Sequence, residues 1–211
     1  MRGLLRKDFY ALKGTFGILM AFMLFYAVLG YVGHNSAMVT SVVAVVVMML
    51  PVSSITYDEA YHWDRYVLTA PVSRQLVVGS KYLLCALLAG FLLLIGMTSG
   101  LLLGEPLVET FFNTLCVAAL SLVISVLALP AMFKWGAQRG RLVLCGVAGA
   151  AGALLGSMLL DGWFSQVALA SLAGGSLRGG GLLVAAVLLA TALVTALSYL
   201  LSCRIYRQKE F

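Results

Sequence analysis

A polar segment at residues 57–82 contains the side chains of this sequence that are best suited to recognise another molecule. It reads YDEAYHWDRYVLTAPVSRQLVVGSKY and stands between two long apolar runs. Trp, Tyr and Arg dominate the binding energy of many protein interfaces, and here they occur beside carboxylates. We therefore predict a protein-docking surface formed by Asp58, Glu59, Tyr61, Trp63, Asp64, Tyr66 and Arg74. The alternative is an interfacial helix whose Trp and Tyr side chains only anchor it among lipid headgroups.

The local sequence predicts a short helix within this segment. Asp58 and Glu59 are expected in its first turn, where carboxylates interact favourably with the helix dipole. The helix should end by Ala70, because Pro71 disfavours helical geometry in the residue before it. The docking side chains would then lie on a compact helix beside the membrane.

Catalytic and metal-binding chemistry is not indicated in the rest of the sequence. The apolar runs hold no Asp, Glu, Lys or Arg at mid-depth, which argues against a proton relay or an intramembrane hydrolase. The glycine-rich stretch 174–181 lacks the Gly-Lys-Ser/Thr ending of a phosphate-binding loop. No CxxC pair is present, so the cysteines are interpreted as packing residues: Cys85, Cys116, Cys145 and Cys203. We predict no catalytic residue, metal or cofactor on this chain.

The composition places these residues in an all-α membrane protein. The chain is 62% hydrophobic and 10% charged, whereas soluble domains average about 25% charged residues. A spanning helix needs about 20 mostly apolar residues. Six such runs are predicted in a single transmembrane domain, 1–211, at 15–32, 38–55, 82–103, 110–133, 142–160 and 182–203.

The positive residues predict the orientation of these spans. Thirteen of the fourteen Lys and Arg residues fall on one side of the six spans, and only Arg178 falls on the other. Positive residues are retained in short cytosolic loops. We therefore predict that both termini, and the loop at 56–81, are cytosolic, and that the segment 161–181 is an external loop.

The first fourteen residues predict an amphipathic helix. Leu5, Phe9, Leu12 and Phe16 recur at helical spacing, while Arg2, Arg6 and Lys13 lie on other faces. Such a helix, 1–14, would lie in the inner interface with its basic residues at the headgroups. The alternative is a basic cytosolic tail that only determines the orientation of the spans in the membrane.

Two further patterns concern how the helices pack. Small residues at four-residue spacing predict close helix contacts, either within the chain or between two copies. They are Gly96, Gly100 and Gly104 in the third span, and Ala148, Gly152 and Gly156 in the fifth. Pro51 and Pro130 should each bend a helix or mark its end.

Taken together, the chain resembles the small permease subunits of type 2 ATP-binding-cassette (ABC) exporters. The resemblance is close in the loop between the second and third spans and looser along the rest of the chain. It is carried by Asp58-Glu59, Trp63, Tyr66, the PVSR sequence at 71–74, the SKY sequence at 80–82, the six spans, the basic amphipathic start and the short basic tail.

The resemblance implies a membrane subunit that is driven by other chains. Two permeases, identical or homologous, would work with two cytosolic ATPase subunits, which hold ATP and Mg²⁺. The loop helix would be the coupling helix that docks in an ATPase groove. The expected location is the plasma membrane of a prokaryote, and the expected activity is export by alternating access.

The substrate is predicted only by chemical class. Apolar spans without an ionic pathway suit an amphipathic or hydrophobic cargo, and members that resemble this chain often export peptides. A peptide is therefore the first expectation, with a lipid or drug next. The rival function is a non-transporting scaffold or immunity protein that binds a toxin without ATP.

Overall fold

A computed structural model describes residues 2–34, 36–63, 66, 74–160 and 177–208. These residues form five helical elements and no strand, which confirms the all-α prediction. The elements are α1 (Arg2–Val32), α2 (Ser36–Ala60), α3 (Arg74–Leu102), α4 (Leu107–Leu160) and α5 (Leu177–Gln208).

Four stretches of the described helices are long and apolar enough to cross a membrane. They are Met38–Ala60, Gln75–Leu102, Thr110–Val147 and Val184–Tyr206. Gly17–Val32 in α1 is also apolar but shorter. The chain is thus a multi-pass membrane protein. The predicted fourth and fifth spans both lie within α4, on either side of Gly136.

The chain bends sharply within α4. Gly136 has φ 83° and ψ 169°, which interrupts the helix. A Cβ atom on Gly140 would lie 2.7 Å from the Cα atom of Met132. In a straight helix, two residues eight positions apart would be about 12 Å apart along the axis. The parts 107–135 and 137–160 therefore meet at a sharp bend at Gly136.

The amino-terminal part of the chain forms one continuous helix. α1 runs unbroken from Arg2 to Val32, so no structural boundary separates the predicted interfacial helix from the first span. Leu12, one of its predicted apolar residues, is buried against Val46 and Leu50 of α2. The side-chain surroundings of Leu5, Phe9 and Phe16 lie outside the described residues.

Helix α2 lies at the centre of the packing. It contacts α1, α3 and α4, whereas α5 packs against α4 and α3. The largest buried cluster joins four helices and includes Val52, Tyr82, Met132, Phe133 and Tyr206. The outer side of α5 presents exposed leucines, as expected for a helix in contact with lipid or another subunit.

At one end of the bundle, Glu105 connects the turn between α3 and α4 to the start of α2. Its carboxylate accepts hydrogen bonds from the Ser36 amide, at 3.1 Å, and from the Ser36 hydroxyl, at 2.5 Å. Ser36 begins α2, so this carboxylate caps the helix from another segment. The turn itself is formed by Gly104 at φ 73°, with the Glu105 amide donating to the Gly100 carbonyl.

Helix α5 begins earlier than the predicted sixth span. Gly179–181, predicted to lie in a flexible loop, are helical within α5. The remainder of the predicted external loop, 161–176, lies outside the described residues.

Candidate functional site at the basic end of the helices

Asp58 and Glu59 lie in the last turn of α2, so the prediction that they begin a new helix is wrong. The helix continues beyond the apolar run because both carboxylates have partners on neighbouring helices. Asp58 pairs with Lys81 of α3, and Glu59 accepts a hydrogen bond from the backbone of α4. The helices thus extend into both ends of the predicted loop, 56–81.

Lys81 is the centre of a buried polar network. Its Nζ atom lies 2.8 Å from Asp8 Oδ1, 2.6 Å from Asp58 Oδ2 and 2.7 Å from Ser54 Oγ. Three hydrogen-bond acceptors match the three donors of an ammonium group. The Lys81 side chain is 4% exposed and that of Asp8 is 1% exposed. The network therefore joins α1, α2 and α3 through a desolvated cation.

Lys7 completes the network and balances its charge. Its Nζ atom contacts the carboxylate of Asp58 and lies 3.2 Å from Asp8 Oδ1. Two lysines and two aspartates give a net charge of zero, which a buried cluster requires. We call Lys7, Asp8, Ser54, Asp58 and Lys81 the polar network.

Trp63 connects the polar network to the segment that follows α2. Lys7 Nζ lies 4.5 Å from the centre of its ring, a cation–π contact. The ring also packs against the large buried cluster, and its Nε1 atom is buried without a hydrogen-bond partner. Trp63 is thus part of the packed structure.

The predicted docking residues that the structure describes differ in exposure: Asp58 and Trp63 are partly buried, whereas Glu59 is exposed. Tyr61 and Tyr66 are 72% and 66% exposed, whereas Trp63 packs against the large buried cluster. Asp64 lies outside the described residues. Arg74 is the first residue of α3, and its side chain is also outside them.

Glu59 joins the same end of α2 to the break in α4. Its Oε2 atom accepts a hydrogen bond of 2.5 Å from the amide of Ala137, where the helix resumes after Gly136. The first amides of a helix have no partner within the helix, and a carboxylate there also stabilises the positive end of the dipole. Glu59 therefore caps the second part of α4.

These contacts bring four basic segments of the sequence to one end of the bundle. Lys7 and Lys81 both contact the carboxylate of Asp58. The first backbone amide after the break in α4, which follows Lys134, donates a hydrogen bond to Glu59. Phe133 and Tyr206 stack edge to face at 5.6 Å between ring centres, which places the end of α5 beside them. We call this the basic end.

The small residues of α3 contact α4 of the same chain. A Cβ atom on Gly96 or Gly100 would overlap the side chain of Thr114 or Thr110, respectively. Gly104 has open space around it and serves instead as the turn that ends α3. Gly152 and Gly156 lie in the second part of α4, and their surroundings are outside the described residues.

Replacing Gly100 with alanine should destabilise the protein by about 1–3 kcal/mol, because the added methyl group overlaps Thr110 and forces α3 and α4 apart. Thermal unfolding in detergent measures this change. Gly90→Ala is the matched control, since Gly90 is on the same helix and nothing lies within 4 Å of its Cβ position. Equal stability of the two variants would contradict the close contact.

The described residues contain no group of His, Cys, Asp and Glu that could hold a metal ion.

A family model described as ABC-2 family transporter protein matches residues 3–207, nearly the whole chain. The chain belongs to this ABC-2 transporter family. Comparisons with curated proteins and with solved structures gave no match.

Membership of the ABC-2 family makes the chain a membrane permease subunit of an ABC transporter. Such subunits generally have no catalytic site of their own and work with cytosolic ATPases. In this light, the basic end is the part of the ABC-2 permease where a partner could act on several helices, because the polar network and Glu59 connect them there.

Sequence reasoning missed most members of the polar network in this ABC-2 permease. Lys7 was counted only as a topology signal, Lys81 was also part of the SKY sequence at 80–82, and Asp8 and Ser54 were not singled out. Asp8 did carry a signal, because it is the only acidic residue before Asp58 in a strongly basic amino terminus. Gly136 carried a weaker one, as a glycine among the cations between two predicted spans.

Proposed function

We propose that this permease subunit exports an amphipathic or hydrophobic substrate, a peptide first among them, with energy from a separate ATPase. The proposal rests on how the segment 61–73, which we call the docking segment, is connected to the helices. Residues 61–73 follow directly on Asp58 and Glu59, which hold α1, α3 and α4. A force applied to this segment would therefore reach four helices at once.

In the proposed complex, the segment 61–73 contains the coupling helix and faces the cytosol. The orientation is supported by the basic residues, because the structure joins their segments at one end and such residues are retained in the cytosol. With both termini on that side, the bend at Gly136 would divide α4 into two spans, which gives six in total.

The nucleotide chemistry is assigned to the partner. Two ATPase subunits would bind ATP and Mg²⁺, close on each other and shift the attached permeases between states open to either side of the membrane. Two permease copies, or one copy and a homologous subunit, would enclose the path. The plasma membrane of a prokaryote is the proposed location.

The substrate proposal rests on the character of the helices. The spans carry hydroxyl groups that mostly bond back to carbonyls of their own helix, as Ser121, Ser125 and Thr195 do. The charged groups of the polar network are already paired with each other. An apolar or amphipathic cargo is therefore favoured over an ion.

We expect amphipathic peptides to raise the ATPase activity of the complex reconstituted in lipid vesicles. Several-fold stimulation by a peptide with one apolar and one cationic face, and none by its sequence-scrambled form, would support peptide export. Stimulation only by a lipid or hydrophobic drug would replace the peptide with the second substrate class. Activity unchanged by all three classes would contradict the substrate proposal.

A further inference from the structure

An apolar groove of about 270 Å³ lies between α1 and α3, with α2 as its floor. Its walls include Met20 and Met23 of α1 and Leu87 and Phe91 of α3, while Val47 lies on the floor. Met20 is 43% exposed and Phe91 is 46% exposed, so both rims are open to the surroundings. The groove is at the level of the apolar stretches Gly17–Val32 and Gln75–Leu102. Within a membrane, it therefore faces hydrocarbon.

A basic face of α1 leads directly into this groove. Arg6, Lys13 and Met20 follow each other at intervals of seven residues in an unbroken helix, so they lie on one face. Each interval corresponds to about 10.5 Å along the axis. Lys13 is exposed and precedes the apolar stretch, which places it at the level of the headgroups. The face thus joins cationic positions to an apolar groove.

Two further features leave this face open to a ligand. Asp8 is the only acidic residue of α1, and it is buried beside Lys7 and Lys81, so it does not neutralise Lys13. Gly17 lies between Lys13 and Met20, and nothing is within 4 Å of its Cβ position. An extended chain can therefore pass from the basic face over Gly17 into the groove.

We propose that this groove binds an acyl chain of an anionic glycerophospholipid, with the phosphate headgroup on the face of α1 that carries Lys13. An acyl chain gains little by leaving bulk lipid for an apolar groove, because the two are equally apolar. The headgroup must therefore provide the selectivity. The proposal is independent of the transported substrate.

Native mass spectrometry of the full-length chain, purified in detergent with added lipid, tests this site. The probes are phosphatidylglycerol and phosphatidylcholine with identical acyl chains. We expect the chain to retain phosphatidylglycerol preferentially, and Lys13→Gln to lower that retention about fivefold, since each surface cation attracts an anionic lipid by about this factor. Met20→Trp, which fills the mouth of the groove, should also lower retention of phosphatidylglycerol, because the acyl chain can no longer enter while the headgroup stays on α1.

Two matched variants control for general effects. Ile18→Trp adds the same bulk at an exposed position that does not line the groove, and Arg139→Gln removes an exposed cation from the basic end outside α1. Both should retain the lipid as the unmodified chain does. Equal retention of the two lipids by the unmodified chain would overturn the proposal. So would a Met20→Trp variant that still binds phosphatidylglycerol fully, or a Lys13→Gln variant no weaker than Arg139→Gln.

Discussion

Replacing Lys81 with methionine should lower the free energy of unfolding by about 3–5 kcal/mol, the usual cost of leaving a buried charge without its partner. Methionine keeps the length of the side chain but leaves Asp8 and Asp58 with Lys7 as their only cation in the polar network. In a chain of this size, the midpoint of thermal unfolding in detergent should fall by about 10 °C.

A second change should recover much of that loss. Lys81→Met combined with Asp8→Asn restores charge balance, because Lys7 and Asp58 remain as one pair. Lys134→Met is the matched control, since Lys134 is an exposed lysine at the same end of the bundle. If the loss of unfolding free energy in the double variant equals the sum of the losses in Lys81→Met and Asp8→Asn, the two side chains are not coupled. That result would contradict the polar network.

Replacing Gly136 with alanine should cost about 1–3 kcal/mol from backbone strain alone, because φ 83° with ψ 169° is a conformation adopted almost only by glycine. The new Cβ atom would also lie 2.9 Å from Glu59 Oε1 and disturb the cap on Ala137. Since the bend in α4 depends on this residue, we expect reduced stability together with a reduced yield of correctly inserted protein.

Gly146→Ala is the control for this change. Gly146 is in the same element, and nothing lies within 4 Å of its Cβ position, so alanine there should be neutral or slightly stabilising. Glu59→Gln separates the contribution of the Glu59 charge from that of its hydrogen bond, because glutamine keeps an acceptor for the Ala137 amide and removes the charge. A Gly136→Ala variant as stable as Gly146→Ala would contradict the break in α4.

The helices could be predicted from the sequence because a long apolar run in a membrane has few alternatives to a helix. The ends of the helices could not. The apolar pattern places the end of the second span near residue 55, whereas partners on other helices stabilise the carboxylates of Asp58 and Glu59 inside α2. Pro130 predicts a bend, yet the break lies at Gly136, where the backbone needs a positive φ.

The polar network shows why the site was harder to predict than the fold. Its members are separated by up to 74 positions in the sequence, between Lys7 and Lys81, and only tertiary packing brings them together. Charge counting identifies Lys81 as a topology signal and gives no reason to pair it with Asp8. The aromatic residues were recognised as a group, but Trp63 proved to be packed while Tyr61 is exposed.

The arrangement gives the docking segment a direct mechanical connection to the helices. Breaking the polar network would cost several kcal/mol, so small movements of residues 61–73 should carry α1, α2 and α3 along before the contacts separate. Glu59 extends this connection to α4 through the Ala137 amide. An ATPase that grips this segment could thereby change the packing of the whole permease.

Photo-crosslinking from position 61 in intact membranes tests the proposed docking of the ATPase most directly. A photoreactive amino acid replaces Tyr61, which is 72% exposed at the basic end, or Tyr31, which is 66% exposed near the opposite end of α1. Our account predicts a crosslink from position 61 to a protein with the phosphate-binding loop of an ABC ATPase, and none from position 31. A crosslink to that ATPase from position 31 alone, or from neither position in membranes that contain both proteins, would contradict it.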